Sequence, residues 1–146
     1  RHTRSFHVTG VQTCALPIFE NVALPLEAAG WSVGERYARA AYLLDQVGLA
    51  HRMLATPSQL SGGQRQRVAI ARAIANDARL ILADEPTGAL HSEDKAGVVA
   101  LLQAMHASGK TVVIVTHDEQ IAAMCDRRLD IRDGLVSEAT GRGRAT

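Results

Sequence analysis

Two acids and a histidine follow two short apolar runs in this sequence of 146 residues. Asp84 and Glu85 come directly after the run at residues 80–83, and His117 follows the run at residues 111–115. Hydrolysis of a phosphoryl group needs a metal that neutralises charge and a group that activates water. Asp84 could hold Mg²⁺ through water, and Glu85 could act as the general base. Adjacent acids are usually solvated surface, but the apolar run before this pair argues against that. A lone histidine at a strand end is more often structural.

A pair of glycines marks a second candidate site. Residues 60–64 read Leu-Ser-Gly-Gly-Gln, and the apolar residues behind them recur at helical spacing: Val68, Ala71, Ile74 and Ala75. The glycines would lie at a helix N-terminus, where N–H groups are free, the partial charge is positive and no Cβ blocks an anion. Ser61 adds a hydroxyl group. The stretch suits a phosphate, although the same residues would also make a solvent-exposed turn that caps an ordinary helix.

The two apolar runs predict strands that are buried on both faces. Between them we expect a helix over residues 93–107, capped by Ser92 and stopped by Gly109. Its inward-facing residues would be Val99, Leu102 and Met105. A helix between two strands of one sheet implies a right-handed crossover and a parallel pair. The carboxyl ends of both strands, with the acids and the histidine, would then meet at one edge, where open α/β sheets bind ligands.

Capping and turn signals predict the remaining elements. Ser32 and Glu35 form a capping box that starts a helix ending near Gly48. The apolar face of that helix would consist of Tyr37, Ala41, Leu44 and Val47. The rest of the chain predicts a short helix over residues 118–125 and a hairpin with strands over residues 128–131 and 135–137. Residues 132–134 would form the turn of the hairpin, and residues 138–146 would form a frayed tail.

Composition permits one soluble domain and excludes several classes of protein. The chain is 47% hydrophobic and 21% charged, as is typical of a globular domain. Its net charge of +1 gives no argument for nucleic-acid binding, and no run of about 18 apolar residues would cross a membrane. Cys14 and Cys125 are too few for a metal cluster or a disulfide framework. This cysteine content is compatible with a reducing cytoplasm.

The first 18 residues do not fit the rest of the sequence. Residues 8–18, VTGVQTCALPI, are the translation of a common short-read sequencing adapter, and residues 1–4 match the outer part of the same adapter. We therefore expect residues 1–18 to be an artefactual leader and exclude them from reasoning about the fold.

Several motifs together resemble those of the ABC-transporter ATPases. Residues 60–64 match the signature motif of that family letter for letter. Residues 80–86 resemble its Walker B strand with the catalytic glutamate, and residues 116–118 resemble its switch histidine. Residues 20–26 are similar to the segment after the glutamine loop in the branch that serves lipoprotein release and macrolide export. The resemblance extends over about residues 19–136.

This resemblance implies an α/β fold. The chain would be the C-terminal part of a P-loop NTPase domain of the ABC ATPase type, with a mostly parallel sheet flanked by helices. Residues 19–75 would form part of the helical subdomain with the signature helix. Residues 76–137 would form the core from the Walker B strand to the switch histidine, and residues 138–146 the tail.

The resemblance also implies roles for individual residues, with ATP and Mg²⁺ as cofactors. Glu85 and His117 would be catalytic, with His117 contacting the γ-phosphate and aligning Glu85 and the water, and Asp84 would bind the metal. The signature residues would bind the γ-phosphate of ATP held by an opposing subunit, and the D-loop would connect the two sites. These residues are Ser61, Gly62, Gly63 and Gln64 in the signature, and Ala89, Leu90 and His91 in the D-loop.

The resemblance therefore implies that the full-length protein hydrolyses ATP and powers export or lipoprotein release through a separate membrane permease. Its partners would be a second ATPase subunit, as in a homodimer, and an integral membrane permease, with no nucleic acid. It would lie at the cytoplasmic face of the inner or plasma membrane.

Two departures from the family's pattern leave alternatives open. The G-x-x-x-x-G-K-[ST] loop and the glutamine loop occur nowhere in the sequence, and His91 stands where the D-loop usually has aspartate. The first alternative is a non-transport ABC ATPase that acts on nucleic acid or ribosomes. The second is an inert fragment.

Overall fold

The computed structural model describes residues 6–7 and 16–139, with the backbone alone at residues 6, 7 and 139. Its helices are α1 (Ile18–Ala28), α2 (Val33–Gln46), α3 (Gly62–Ala73), α4 (Ser92–Ala107) and α5 (Glu119–Ala122). Its strands are β1 (Phe6–His7), β2 (Leu80–Asp84), β3 (Thr111–Val115), β4 (Arg128–Arg132) and β5 (Leu135–Ala139). Across these described residues, no helix combines the length and the apolar character needed to cross a membrane.

Strands β1, β2 and β3 form one parallel sheet in that order. β2 and β3 pair from Leu80 opposite Thr111 to Asp84 opposite Val115, and α4 lies between them in the chain. Two neighbouring parallel strands need such a crossover, because a tight turn can join only antiparallel strands. The predicted α/β fold, with a parallel sheet and flanking helices, is therefore confirmed.

The chain divides into two compact units, residues 1–115 and residues 116–146. The first unit contains the parallel sheet and helices α1 to α4, and the second contains α5 and the β4–β5 hairpin. These units divide the chain at a different point from the boundaries expected from sequence, at residues 75 and 137. Those boundaries remain predictions.

One apolar cluster joins α1, α2, α3, β2 and α4 in the first unit. Its largest fully buried apolar residues are Ile18, Val22, Leu26, Leu44, Leu49, Val68, Ile70, Ile81 and Val98. Burying one such side chain contributes about 1.5–3 kcal/mol before the loss of conformational entropy is counted. The cluster therefore fixes α3 against α1 and α4 and sets where the N-terminus of α3 lies.

Residues 16–18 pack with this first unit. Ile18 is fully buried, and the buried Asn21 side chain donates hydrogen bonds to the carbonyl oxygens of Leu16 and Pro17 at 2.9 and 3.1 Å. β1, at residues 6–7, pairs with β2. Residues 1–5 and 8–15 lie outside the described residues, and the adapter origin of the leader stays a prediction.

The starts of α2 and α4 test the predicted caps. Ser32 and Glu35 form the expected capping box, and Gly48 follows the end of α2 with a positive φ of 73°. The predicted cap of α4 is wrong by one residue, because the extended residue at the N-cap is His91 and Ser92 is already helical. Of the predicted inward-facing residues, Leu102 is buried and Met105 packs against the core, but Val98 is buried whereas Val99 is only partly buried.

The exposure of β3 differs from the prediction. Ile81 and Ala83 of β2 are buried, but Val113 and Val115 in β3 are 44% and 59% exposed. The apolar run correctly indicated a strand, whereas its burial depends on elements from elsewhere in the sequence.

The second unit consists of the predicted short helix and hairpin. Asp118 caps α5 by accepting a hydrogen bond from the Gln120 N–H group at 3.0 Å, and α5 ends at Ala122 instead of Cys125. The hairpin turns at Asp133 and Gly134, whose φ angles are 50° and 78°. β5 includes residues 138 and 139, which the sequence assigned to the tail. Residues 140–146 lie outside the described residues.

Candidate functional site

Residues 61–64, called here the glycine turn, form the N-terminus of α3. Ser61 is the N-cap residue, and its Oγ accepts a hydrogen bond from the Gln64 N–H group at 3.2 Å. In return, Gln64 Oε1 accepts the Ser61 N–H group at 3.1 Å. The first N–H groups of a helix have no partner within it, so this box leaves those of Gly62 and Gly63 without an intrahelical partner. The helix N-terminus predicted from sequence is therefore present.

The glycine turn lies directly against the segment that follows β2. A Cβ placed on Gly62 would fall 3.1 Å from Leu90 Cδ2 and 3.8 Å from the Ala89 carbonyl oxygen. His91 is the next residue, and its carbonyl oxygen accepts the N–H groups that open α4. The structure thus brings together the glycine turn and residues 89–91, two groups that the sequence analysis selected separately.

Asp84 and Glu85 lie at the carboxyl end of β2. Asp84 is its last residue and is exposed. The Glu85 N–H group donates to the carbonyl oxygen of Val115, the last residue of β3, at 2.8 Å. This bond places Glu85 at the edge where both strands end, which confirms the predicted position of the acids relative to the sheet.

A short turn connects the acids to the glycine turn. The Gly88 N–H group donates to the Glu85 carbonyl oxygen, and the Leu90 N–H group to that of Thr87, both at 3.1 Å. The Thr87 side chain is buried, and a Cβ on Gly88 would lie 3.5 Å from Glu85 Oε2. The backbone from Glu85 to Leu90 is therefore folded tightly, with the Glu85 carboxylate beside its start and Gly62 beside its end.

Glu85 has a backbone conformation that the sequence did not indicate. Its φ is 44°, in the left-handed region. Asp77 and Asp133 also have positive φ, but aspartate is enriched there and glutamate is not. Such strain persists where the surrounding structure over-determines it, and it is concentrated at functional sites.

The acids of this site fit a hydrated metal ion better than a metal held by protein alone. Among the described residues, no group of three or more His, Cys, Asp or Glu side chains could hold a metal ion. Asp84 would therefore supply one carboxylate. Mg²⁺ suits such a position, because it keeps much of its water and takes other ligands from substrate phosphates.

His117 belongs to the second unit, two residues after β3. It is exposed, and its neighbours are held by a hydrogen bond from the Asp118 N–H group to Thr116 Oγ1 at 3.1 Å. Its predicted role beside Glu85 stays a prediction.

Sequence reasoning did not identify two charged residues that lie at the contact between helices α3 and α4. Asp94 of α4 packs against Gly63, and the Arg67 guanidinium packs against Gly97 in the next turn of α4. Arg65, two residues before Arg67 in α3, donates to the Leu60 carbonyl oxygen at 2.6 Å. A glycine inside a predicted helix, such as Gly97, was the available signal, because it often marks a close approach of another element.

Known proteins match most of this chain. A sequence model of the family described as ABC transporter matches residues 6–88, more than half of the chain. The chain is 52% identical over 122 residues to the macrolide export ATP-binding/permease protein MacB 2 of Aeromonas hydrophila subsp. hydrophila. It is 51% identical over 127 residues to the pyoverdine export ATP-binding/permease protein PvdT of Pseudomonas syringae pv. tomato. These matches cover 84% and 87% of the chain but 19% of each relative, so the chain spans about a fifth of their length.

Solved structures agree with these matches. The chain is 40% identical to the ATP-binding cassette MJ0796, in a dimeric post-hydrolysis state bound to ADP and Pi, with a TM-score of 0.77. That match covers 96% of this chain and 64% of the cassette. A putative metal-chelate type ABC transporter in an inward-facing conformation matches with a TM-score of 0.82 at 29% identity, over 92% of this chain and 56% of that one.

Proposed function

This chain belongs to the ABC transporter family, and we propose that it is part of an ATPase subunit that drives export through a membrane permease. The relatives that support this proposal are named as export ATP-binding/permease proteins. The related cassette MJ0796 was solved as a dimer with ADP and Pi, the products of ATP hydrolysis. The proposed reaction is attack of water on the γ-phosphate of ATP.

The observation that carries the proposal is the hydrogen bond from Glu85 to Val115. It holds a carboxylate at the edge of the sheet where two parallel strands end, which is where open α/β sheets bind ligands. The turn that follows connects this carboxylate to a helix N-terminus with two bare glycines. A base for water and an anion-binding helix end are therefore held in one unit.

Each acid has a distinct proposed task. Glu85 accepts the proton of the attacking water, for which its half-buried position beside Gly88 leaves access. Asp84 is the residue that would hold Mg²⁺, which supplies neutralisation of the phosphate charge when bound. His117 would contact the γ-phosphate and align Glu85 and the water.

The glycine turn would act on a nucleotide held by a second subunit. The N–H groups of Gly62 and Gly63, the Ser61 hydroxyl and the Gln64 side chain are proposed to contact the γ-phosphate of that subunit. Residues 89–91 pack on the same turn and would connect the two sites. ATP would then hold the two subunits together, and hydrolysis would release them.

The membrane partner is proposed to be a permease. The sequence analysis predicted a separate permease, whereas the names of the relatives join ATP-binding and permease functions in one protein. Sequencing the gene beyond the codon for Thr146 distinguishes these arrangements, because a fused permease would continue in the same frame.

The function is tested by hydrolysis of ATP by the full-length gene product. We expect Glu85→Gln to lower the rate by about 10²- to 10⁴-fold while ATP binding persists, because the amide cannot accept a proton. Glu93→Gln, which changes an exposed acid at the start of α4, is the control. The proposal would be contradicted if the full-length gene product hydrolysed no ATP, or if Glu85→Gln did not abolish the hydrolysis. Co-purification with nucleic acid in place of a permease would favour a non-transport ATPase.

The sequence of the gene is needed to identify the full-length protein for these assays. The G-x-x-x-x-G-K-[ST] loop that binds the nucleotide's own phosphates is not among these 146 residues. Long-read sequencing across the codons for residues 18–20 should show a frame that continues upstream into that loop. If residues 1–18 are truly encoded there, catalysis by this protein would be abandoned in favour of a degenerate cassette.

A further inference from the structure

The side chain of Asp94 packs against the first turn of α3. A Cβ placed on Gly63 would lie 2.5 Å from Asp94 Oδ1 and 2.6 Å from Asp94 Cβ, so only glycine fits beside this carboxylate. Gly63 is buried and Asp94 is partly buried. The contact joins the first turn of α4 to the N-terminus of α3 and is therefore a tertiary contact.

Asp94 supplies a charge that α3 lacks. The first turn of α3 has no acidic residue, and its capping box is built from the neutral side chains of Ser61 and Gln64. A negative charge near a helix N-terminus is stabilising, because the free N–H groups there carry a partial positive charge. The Asp94 carboxylate thus compensates from outside the helix for an acid that is missing inside it.

Two further contacts join α3 to the segment around Asp94. Leu90 lies against Gly62, and the Arg67 guanidinium lies against Gly97. The Arg65 guanidinium also lies at the glycine turn, with Nη2 3.9 Å from a Cβ placed on Gly62. A phosphate that approaches the turn would meet the attraction of Arg65 and the repulsion of Asp94.

We propose that Asp94 determines the affinity of the glycine turn for phosphate. In the free protein its carboxylate stabilises the partial positive charge at the N-terminus of α3. In the complex the same carboxylate repels the γ-phosphate of the nucleotide. This inference rests on the proposed function of the glycine turn. Asp94 therefore weakens ATP-driven association of the subunits and speeds their release after hydrolysis. It is a positioning and affinity-determining residue and takes no part in the chemical step.

The test is Asp94→Asn in the full-length gene product, because asparagine keeps the shape beside Gly63 and removes the charge. We expect the ATP concentration for half-maximal hydrolysis to fall about three- to tenfold, which is the size of the interaction between two unit charges about 4 Å apart in the dielectric of water. In the Glu85→Gln background, the ATP-bound dimer should dissociate more slowly by a similar factor. Raising the salt from about 50 to 500 mM should shrink both effects, because the interaction is screened.

A second readout separates this role from simple packing. Without nucleotide, Asp94→Asn should lower the melting temperature more than Glu93→Gln does, because both variants remove a charge from the first turn of α4 but only Asp94→Asn also removes one beside the N-terminus of α3. Tighter ATP binding together with lower stability is the expected result, whereas a purely structural residue would weaken both. Asp94→Ser, smaller and also neutral, provides the same comparison if the asparagine variant does not fold.

The control is Glu93→Gln, which makes the same change in net charge at the neighbouring exposed residue. An equal shift in this variant would overturn the inference, because the effect would then come from net charge alone. The inference would also be overturned if Asp94→Asn hydrolysed ATP with an unchanged or increased half-saturating ATP concentration. That result would leave the proposed function intact. Absence of Glu85-dependent hydrolysis in the unaltered protein would overturn the proposed function, and this inference with it.

Discussion

Glu85 combines a carboxylate proposed to act on water with a backbone conformation that its own side chain disfavours. A left-handed φ costs a residue with a Cβ roughly 1–2 kcal/mol. The hydrogen bond to Val115 and the turn to Gly88 hold Glu85 in that conformation. This backbone conformation sets the direction in which the chain leaves the sheet, and therefore the position of the Glu85 carboxylate.

This strain can be measured by comparing Glu85→Gly with Glu85→Ala. Both variants lose the carboxylate, so they should lose hydrolysis equally. Glycine adopts positive φ without a steric cost, so Glu85→Gly should be more stable than Glu85→Ala by about 1 kcal/mol in chemical unfolding. Equal stability of the two variants would show that the backbone at this position is not strained.

Helices α2 and α3 begin in the same way. Each has a serine at its N-cap, a glycine as its second residue and a capping box closed by the residue after that. Their surroundings differ, because a Cβ on Gly34 would meet nothing within 4 Å, whereas one on Gly63 would collide with Asp94. The two glycines are thus a matched pair in which local structure is constant and tertiary contact varies.

Alanine at these two positions should have opposite effects. Gly34→Ala should stabilise the protein by about 0.5–1 kcal/mol, because alanine loses less backbone entropy in a helix. Gly63→Ala should destabilise it by about 1–3 kcal/mol, because Asp94 must be displaced. Thermal or chemical unfolding of both variants tests this. Stabilisation by Gly63→Ala would mean that Asp94 moves away easily, and would also weaken the inference about its charge.

Local patterns predicted the elements well, and tertiary contacts explain the rest. The two apolar runs, the crossover helix and the capping serines lie within single stretches of sequence, so the parallel pair and the starts of α2 and α3 could be predicted. The contacts of Gly63 with Asp94 and of Arg67 with Gly97 join residues about 30 positions apart, and no local pattern encodes them. The start of α4 was placed one residue late because serine is a preferred N-cap residue, whereas the observed N-cap is His91, whose side chain makes no capping hydrogen bond.

Across the whole molecule, several carboxylates have lowered pKa values. A hydrogen bond from Ser32 lowers the pKa of Glu35, one from Lys110 lowers that of Asp77, and one from Arg128 lowers that of Glu119. Such carboxylates bind fewer protons in the folded than in the unfolded protein in mild acid. Their contribution to stability is therefore present above the ordinary carboxyl pKa and is lost as the pH falls through the lowered values.

Asp77→Asn tests this acid dependence in one place. Lys110 Nζ lies 2.9 Å from Asp77 Oδ1, and the Asp77 side chain is 83% exposed, so the pair should contribute no more than about 0.5 kcal/mol. Asparagine tolerates the φ of 53° at this position, so only the charge is lost. The variant should be slightly less stable at pH 7, and the difference should vanish as the pH falls below 3.8, the ordinary value for the group. A difference in urea midpoint that persists in acid would contradict the assignment.

The cap of α3 also constrains any attempt to make this protein resist heat. In α2 the capping box ends in a carboxylate, and Glu35 accepts hydrogen bonds from the Ser32 N–H and Oγ at 3.1 and 2.6 Å. Exchanging one NH₂ group for an oxygen, as in Gln64→Glu, would give α3 the same box and a favourable charge at its N-terminus. Laboratory selection for thermal tolerance would accept that substitution readily. Because Asp94 is already present, Gln64→Glu would place two negative charges at the glycine turn. The more thermostable protein would then bind phosphate more weakly.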